Sequence, residues 1–151
     1  MAHTYHQNFG HLVFHVASTP IHPNDTERLH AYIAGIARNN RVDAPIVGGT
    51  DNHIHLLGNF PVSFPVSELV SKIKASSSVW LKSVHTRYHD FSWQKGYGYF
   101  SVSASLHARV ADYIKHQEKH HAHLSAEEEF TRLLEKHGLS PANPPAGHGA
   151  S

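Results

Sequence analysis

The chain has 151 residues, a formal net charge of +1 and 40% hydrophobic residues, enough for one folded domain with a real core. It has no cysteine, which excludes disulfides, thiolate nucleophiles and cysteine-held zinc or iron–sulfur centres. Its apolar runs are too short to span a bilayer and its N-terminus does not read as a signal peptide, so the expectation is a cytoplasmic protein with no membrane partner.

GHLVFHVAS, from Gly10 to Ser18, is apolar and rich in β-branched residues and reads as a first strand. Two prolines in STPIHPND mark a turn, and Asn24 stands at capping-box distance from Glu27. Leu29, Tyr32, Ile33, Ile36 and Ala37 then recur at helical spacing, predicting a helix that stops near Asn39–Asn40. Val42–Gly49 reads as a second strand, where Pro45 points to an edge. The short Gly49-Thr50-Asp51 connection predicts a hairpin into a third strand, which Gly58-Asn59 should end early or bulge.

From Val66, the residues Leu69, Val70, Ile73, Trp80 and Leu81 form one apolar stripe, predicting a helix that ends near His85. HTRYHDFSWQKGYG reads as a loop, and Gly98–Ser103 as a fourth strand. Ser103 or Ser105 caps a third helix carrying LHARVADYIKHQEKHH, and Ser125 with Glu128 opens a last helix stopped by Gly138. One domain over 1–140 and a disordered Pro- and Gly-rich tail over 141–151 are expected. The order β-α-β-β-α-β, then two helices, predicts an α+β, ferredoxin-like antiparallel sheet, helices on one face, with added C-terminal helices.

Chemistry first suggests itself in VGGTDNHIHLLGNF. Strand alternation puts His53, His55 and Leu57 on one face and Ile54 and Leu56 on the other. The pair either holds a metal ion or is incidental in a chain with 17 histidines. On the third helix, Leu106, Val110, Tyr113, Ile114 and Gln117 share one sector, which should pack toward the sheet. A glutamine there needs a partner, because a buried amide is costly unless hydrogen-bonded. Tyr113 and Gln117 are neighbours at i and i+4, able to place a hydroxyl and an amide oxygen beside His53 and His55. Tyr113 is otherwise an ordinary core tyrosine and Gln117 an ordinary rim residue.

DNHIHLL, VSELVSKIKASSSVWLK, WQKGYGYFSVS, VADYIKHQEKHH and SAEEEFTRLLEKHG occur in that order. Together they resemble the single-tyrosine HUH transposases of small bacterial insertion sequences, over roughly residues 8 to 140. The resemblance implies a DNA transposase that cuts and rejoins single-stranded DNA with hairpin ends through a 5′-phosphotyrosine. By position, His53 and His55 match the family's metal-binding pair, Gln117 its third ligand and Tyr113 its nucleophile. The implied cofactor is a divalent metal, Mg2+ or Mn2+. A homodimer is implied too, with the site assembled either within one subunit or by the tyrosine helix of one subunit completing the histidine pair of the other.

A polyanionic substrate calls for cations, and Lys72, Lys74, Lys82 and Lys115 are candidate DNA contacts. Trp93, Tyr97 and Tyr99 either stack on bases or pack in the core. HQEKHHAH, from His116 to His123, suits a helix terminus or solvated face better than a second metal site. Two rival readings are a host-retained hairpin-DNA nickase and ligase, like the transposases associated with repetitive extragenic palindromes, and a non-catalytic nucleic-acid-binding module.

Overall fold

The computed structural model describes residues 3–117 and 124–139. Its strands are β1 (Phe9–Ser18), β2 (Asp43–Gly49), β3 (His53–Asn59), β4 (Ser92–Trp93) and β5 (Gly98–Ser101). Its helices are α1 (Thr26–Asn39), α2 (Val66–Val84), α3 (His107–Lys115) and α4 (Ala126–Lys136). The sheet runs β2-β3-β1, with β4 and β5 sharing the far edge of β1, and every pairing is antiparallel. This is the expected α+β ferredoxin-like arrangement, and Pro45 does sit on an edge strand.

Register decides which side chains share a face. His15 pairs with His53, Val13 with His55 and His11 with Leu57. Directly opposed residues point the same way, so His11, His15, His53 and His55 all project from one face. Leu12, Phe14, Ile54 and Leu56 project from the other and form the main core with Leu29, Ile33, Leu69 and Ile73 of α1 and α2. Ile54 is thus the core residue between the two histidines, 1% exposed.

The helices are not confined to one face. α1 and α2 cover the core face, whereas α3 and α4 cover the histidine face. α3 settles on Leu57 through Ala111 and Ile114. Phe130 of α4 meets His15 and Phe100 edge-on or tilted. The close approach of α3 requires Gly48, since a Cβ there would lie 2.2 Å from the Ile114 carbonyl oxygen.

Several local expectations are corrected. Asn24 does not cap α1; a 3-10 turn over Pro23–Asp25 intervenes, and Asn24 N–H donates to His22 Nδ1 at 3.1 Å. β3 runs on through Gly58, which pairs with Gly10, and the irregularity opposite it lies on β2, whose register shifts between Asp43 and Ile46. The glycine is needed because a Cβ would meet Val42 Cγ1 at 2.5 Å. The aromatic loop contains β4 and a 3-10 turn over Thr86–Tyr88. β5 ends at Ser101, two residues short of the expected strand, and α3 begins after a 3-10 turn over Ala104–Leu106. Leu106 is 41% exposed and lies outside the sheet-facing sector. Ser125 caps α4 as expected, its Oγ accepting from Glu128 N–H at 3.1 Å. The far end of the third helix, most of the histidine-rich stretch and the tail lie outside the described residues.

Candidate metal and tyrosine site

Five side chains converge where β3, α3 and α4 meet. His53 and His55 project from β3 and are fully buried. His53 Nε2 lies 3.0 Å from Gln117 Oε1 and 3.3 Å from Glu129 Oε1. His55 Nε2 lies 2.7 Å from the same Glu129 oxygen. Glu129 Oε2 accepts a hydrogen bond from the Tyr113 hydroxyl. The Tyr113 ring stands perpendicular to His55, at 88° with centroids 6.0 Å apart. One chain thus brings together His53, His55, Tyr113 and Gln117.

Each histidine is fixed from behind. His53 Nδ1 lies 2.9 Å from Asn52 Oδ1 and 2.9 Å from Thr50 Oγ1, both in the β2–β3 turn. An amide oxygen only accepts, so a proton on Nδ1 satisfies Asn52, and in that tautomer Nε2 presents a lone pair to the centre. His55 Nδ1 lies 2.7 Å from His11 Nε2, one strand away. Burial first, then the neighbouring His55, lowers the pKa of His11 to about 3, so its ring is neutral and can accept from His55 Nδ1–H. Both Nε2 lone pairs then face Gln117 Oε1 and Glu129 Oε1.

Acceptors this close repel one another unless positive charge lies between them. A proton on each ring would supply it, and so would a metal ion. His53, His55 and Glu129 offer donor atoms all within 4.8 Å of one another. Two imidazoles and a carboxylate suit a divalent first-row ion or zinc, and nitrogen donors favour manganese over magnesium. The donor set therefore fits a divalent metal.

Burial pushes the Glu129 carboxyl up, but when the His53 and His55 rings carry protons on Nε2 their hydrogen bonds outweigh it and hold the group well below the usual carboxylate range. For Tyr113, burial and then the bond to Glu129 push the phenol well above its ordinary value. Arg132 acts in the opposite sense, favouring the phenolate.

Sequence reasoning missed Glu129, His11, Asn52 and Thr50. Glu129 is 2% exposed and occupies the apolar stripe of α4 with Ala126, Phe130 and Leu133. The test that singled out Gln117, a polar residue at core spacing, would have found it. His11 shares a face with His55 by register, a relation that alternation within β1 and β3 hints at but pairing alone decides.

The basic candidates separate. Lys115 is exposed, two residues before Gln117. Lys72 and Lys82 are exposed on α2, across the sheet from the histidines. Lys74 is buried and donates to the Gln94 and Gly96 carbonyls at 2.8 and 2.7 Å, tying the β4–β5 loop to α2. Trp93, Tyr97 and Tyr99 pack against the core, and Trp93 Nε1–H donates to Ser77 Oγ at 3.1 Å. Among the described residues, no helix is long and apolar enough to cross a membrane.

Comparison with solved structures finds the same fold in a Deinococcus radiodurans transposase candidate, with a TM-score of 0.59 at 16% identity over 76% of this chain and 93% of that one. A REP-associated tyrosine transposase bound to a REP hairpin gives a TM-score of 0.56 at 13% identity, covering 98% of this chain and 91% of its own. Comparison with curated proteins gives no significant match. Residues 4–117 match the family described as "Transposase IS200 like". That match spans most of the sequence and both histidines, the tyrosine and the glutamine, and the chain belongs to the IS200-like transposase family.

Proposed function

We propose that this chain is a metal-dependent tyrosine DNA transesterase that cuts and rejoins single-stranded DNA through a 5′-phosphotyrosine. The observation that carries the reading is Glu129, which links a phenol on one oxygen to two imidazoles on the other. Membership of the family and the buried histidine pair support it.

His53, His55 and Glu129, with Gln117 beside them, would hold the ion. A bound divalent ion would offset negative charge on the non-bridging phosphate oxygens and orient the scissile phosphate. Tyr113 is the nucleophile. Its proton passes to Glu129 Oε2 as its oxygen bonds to phosphorus. The bond from phosphorus to the 3′ oxygen breaks, and that oxygen leaves and takes a proton from water. The covalent link conserves the bond energy, so a 3′-hydroxyl can attack it later, restore a phosphodiester and release Tyr113 with its proton.

The substrate is single-stranded DNA with hairpin ends, a reading supported by the hairpin bound to the similar REP-associated transposase. Lys115 would meet DNA beside the site, and Lys72 and Lys82 would do so from the far side of the sheet. The working unit is a homodimer. The same similarity favours one alternative, a host-retained enzyme acting on palindromic hairpins, which the DNA flanking the gene would distinguish. A non-catalytic binding module has no use for buried, converging acceptors. The test is a covalent protein–DNA adduct, formed with manganese and lost in Tyr113→Phe.

A further inference from the structure

A cavity of about 1010 Å³ opens between α3 and α4, with Tyr113 and Glu129 in its wall. Its charged lining comes from both helices. α3 contributes Arg109 and Asp112, and α4 contributes Arg132 and Lys136. Helical spacing explains the alignment. Arg109 and Tyr113 are at i and i+4, and Glu129, Arg132 and Lys136 follow at i, i+3 and i+7. Each helix therefore turns one face to the cavity, with its cations beside its catalytic candidate.

The acids there are already engaged. Asp112 Oδ1 lies 3.2 Å from His116 Nδ1, and Glu129 is held by His55 and Tyr113. Among the described residues, Arg109, Arg132 and Lys136 form no ion pair. The cavity thus offers three cations outside any ion pair, with Asp112 beside His116 as the exposed acid of its lining. Its remaining wall is apolar, with Leu106, Val110 and Leu133. Leu106 is 41% exposed at this wall.

Cations interleaved with apolar side chains suit a ligand with repeating anions and flat apolar bodies between them. An unpaired nucleic-acid strand has that chemistry. A free phosphate would engage one or two of these cations and leave the apolar wall bare.

We propose that this cavity is the channel for the unpaired DNA strand flanking the scissile phosphate, its backbone held by Arg109, Arg132 and Lys136. The inference rests on the strand-transfer reading but assigns residues that reading does not need. Arg132 and Tyr113 line the same cavity, which puts a phosphate contact beside the nucleophile.

The test is equilibrium binding of a fluorescein-labelled single-stranded oligonucleotide, followed by anisotropy across a salt series, in a Tyr113→Phe background that cannot react. Each phosphate contact contributes about 0.7 to the salt slope for a single strand, so Arg109→Gln/Arg132→Gln/Lys136→Gln should lower its magnitude by about 2. Affinity near 100 mM salt should fall at least tenfold. Arg109→Lys/Arg132→Lys keeps the charge and should keep the slope, which separates a lost contact from a lost fold. Arg38→Gln/Arg41→Gln removes exposed charge at the far end of α1 and should leave the slope nearly unchanged. If the triple variant behaves like that control while the wild type still forms its covalent adduct, the channel is wrong and the strand-transfer reading survives. If the wild type neither binds the strand nor forms an adduct, both fall.

Discussion

Glu129 Oε1 lies 2.7 Å from His55 Nε2, and the other oxygen of the same carboxylate accepts from the Tyr113 hydroxyl. One side chain therefore couples the place where an ion would sit to the group that would attack. Glu129→Gln keeps the shape and removes the charge. Manganese affinity, measured by calorimetry, should fall at least about tenfold, the lower end of what lost supporting groups cost at metal sites. Adduct formation should fall with it. Unchanged affinity would remove Glu129 from the ligand set.

His11 is the counterpart behind the site. Its neutral ring can accept from His55 Nδ1–H, which turns the His55 Nε2 lone pair toward the centre. His11→Phe keeps the bulk and loses the acceptor, and manganese should bind about 10–100-fold more weakly. His11→Gln restores an acceptor and should recover part of that loss. Equal affinities for the two variants would mean that His11 only fills space.

Gly48 sets the height of α3 above the sheet. A methyl group there would lie 2.2 Å from the Ile114 carbonyl oxygen, so the helix must lift or tilt. Gly48→Ala should cost about 1–3 kcal/mol, in the range of overpacked cores, and should weaken metal binding because Gln117 and Tyr113 ride on the same segment. Chemical denaturation and calorimetry on one sample would show both. A fully stable variant with normal affinity would contradict the packing.

Stability in acid should depend on a pair far from the site. Tyr88 is fully buried and its hydroxyl donates to Asp25 Oδ2 at 2.5 Å. That hydrogen bond, opposed by burial and helped by Arg28, holds the Asp25 carboxyl below its usual value. A depressed carboxyl stabilises the fold at pH values above its unfolded pKa of about 3.9, and the contribution is lost as pH falls through the lower folded value. Tyr88→Phe should therefore destabilise the protein by about 1–3 kcal/mol at neutral pH. The gap from wild type should narrow below about pH 4, as seen in thermal melts across pH. A gap that does not change with pH would show that the hydroxyl contributes without Asp25.

Most of the fold was legible because its signals are local. Alternation in β3 put His53 and His55 on one face, and helical spacing put Gln117 on a buried sector. What stayed hidden depends on pairing between distant segments. Glu129 falls at core spacing among the three glutamates opening α4, but which side chains it meets is decided by the contact of α4 with β3. His11 sits 44 residues from His55, and its role follows from strand register. Lys74 looked like one more surface cation of α2, yet it is buried and bound to two loop carbonyls that no helical periodicity reveals.

The most direct measurement is a denaturing gel of the protein incubated with labelled, hairpin-bearing single-stranded DNA and manganese. The wild type should give a covalent adduct that disappears with chelator and is absent in Tyr113→Phe. His53→Ala and His55→Ala should lower it by at least about 100-fold, in line with losing a catalytic contact worth roughly 2.7 kcal/mol or more. An adduct that persists in Tyr113→Phe would contradict the assignment of the nucleophile and, with it, the role given to the site.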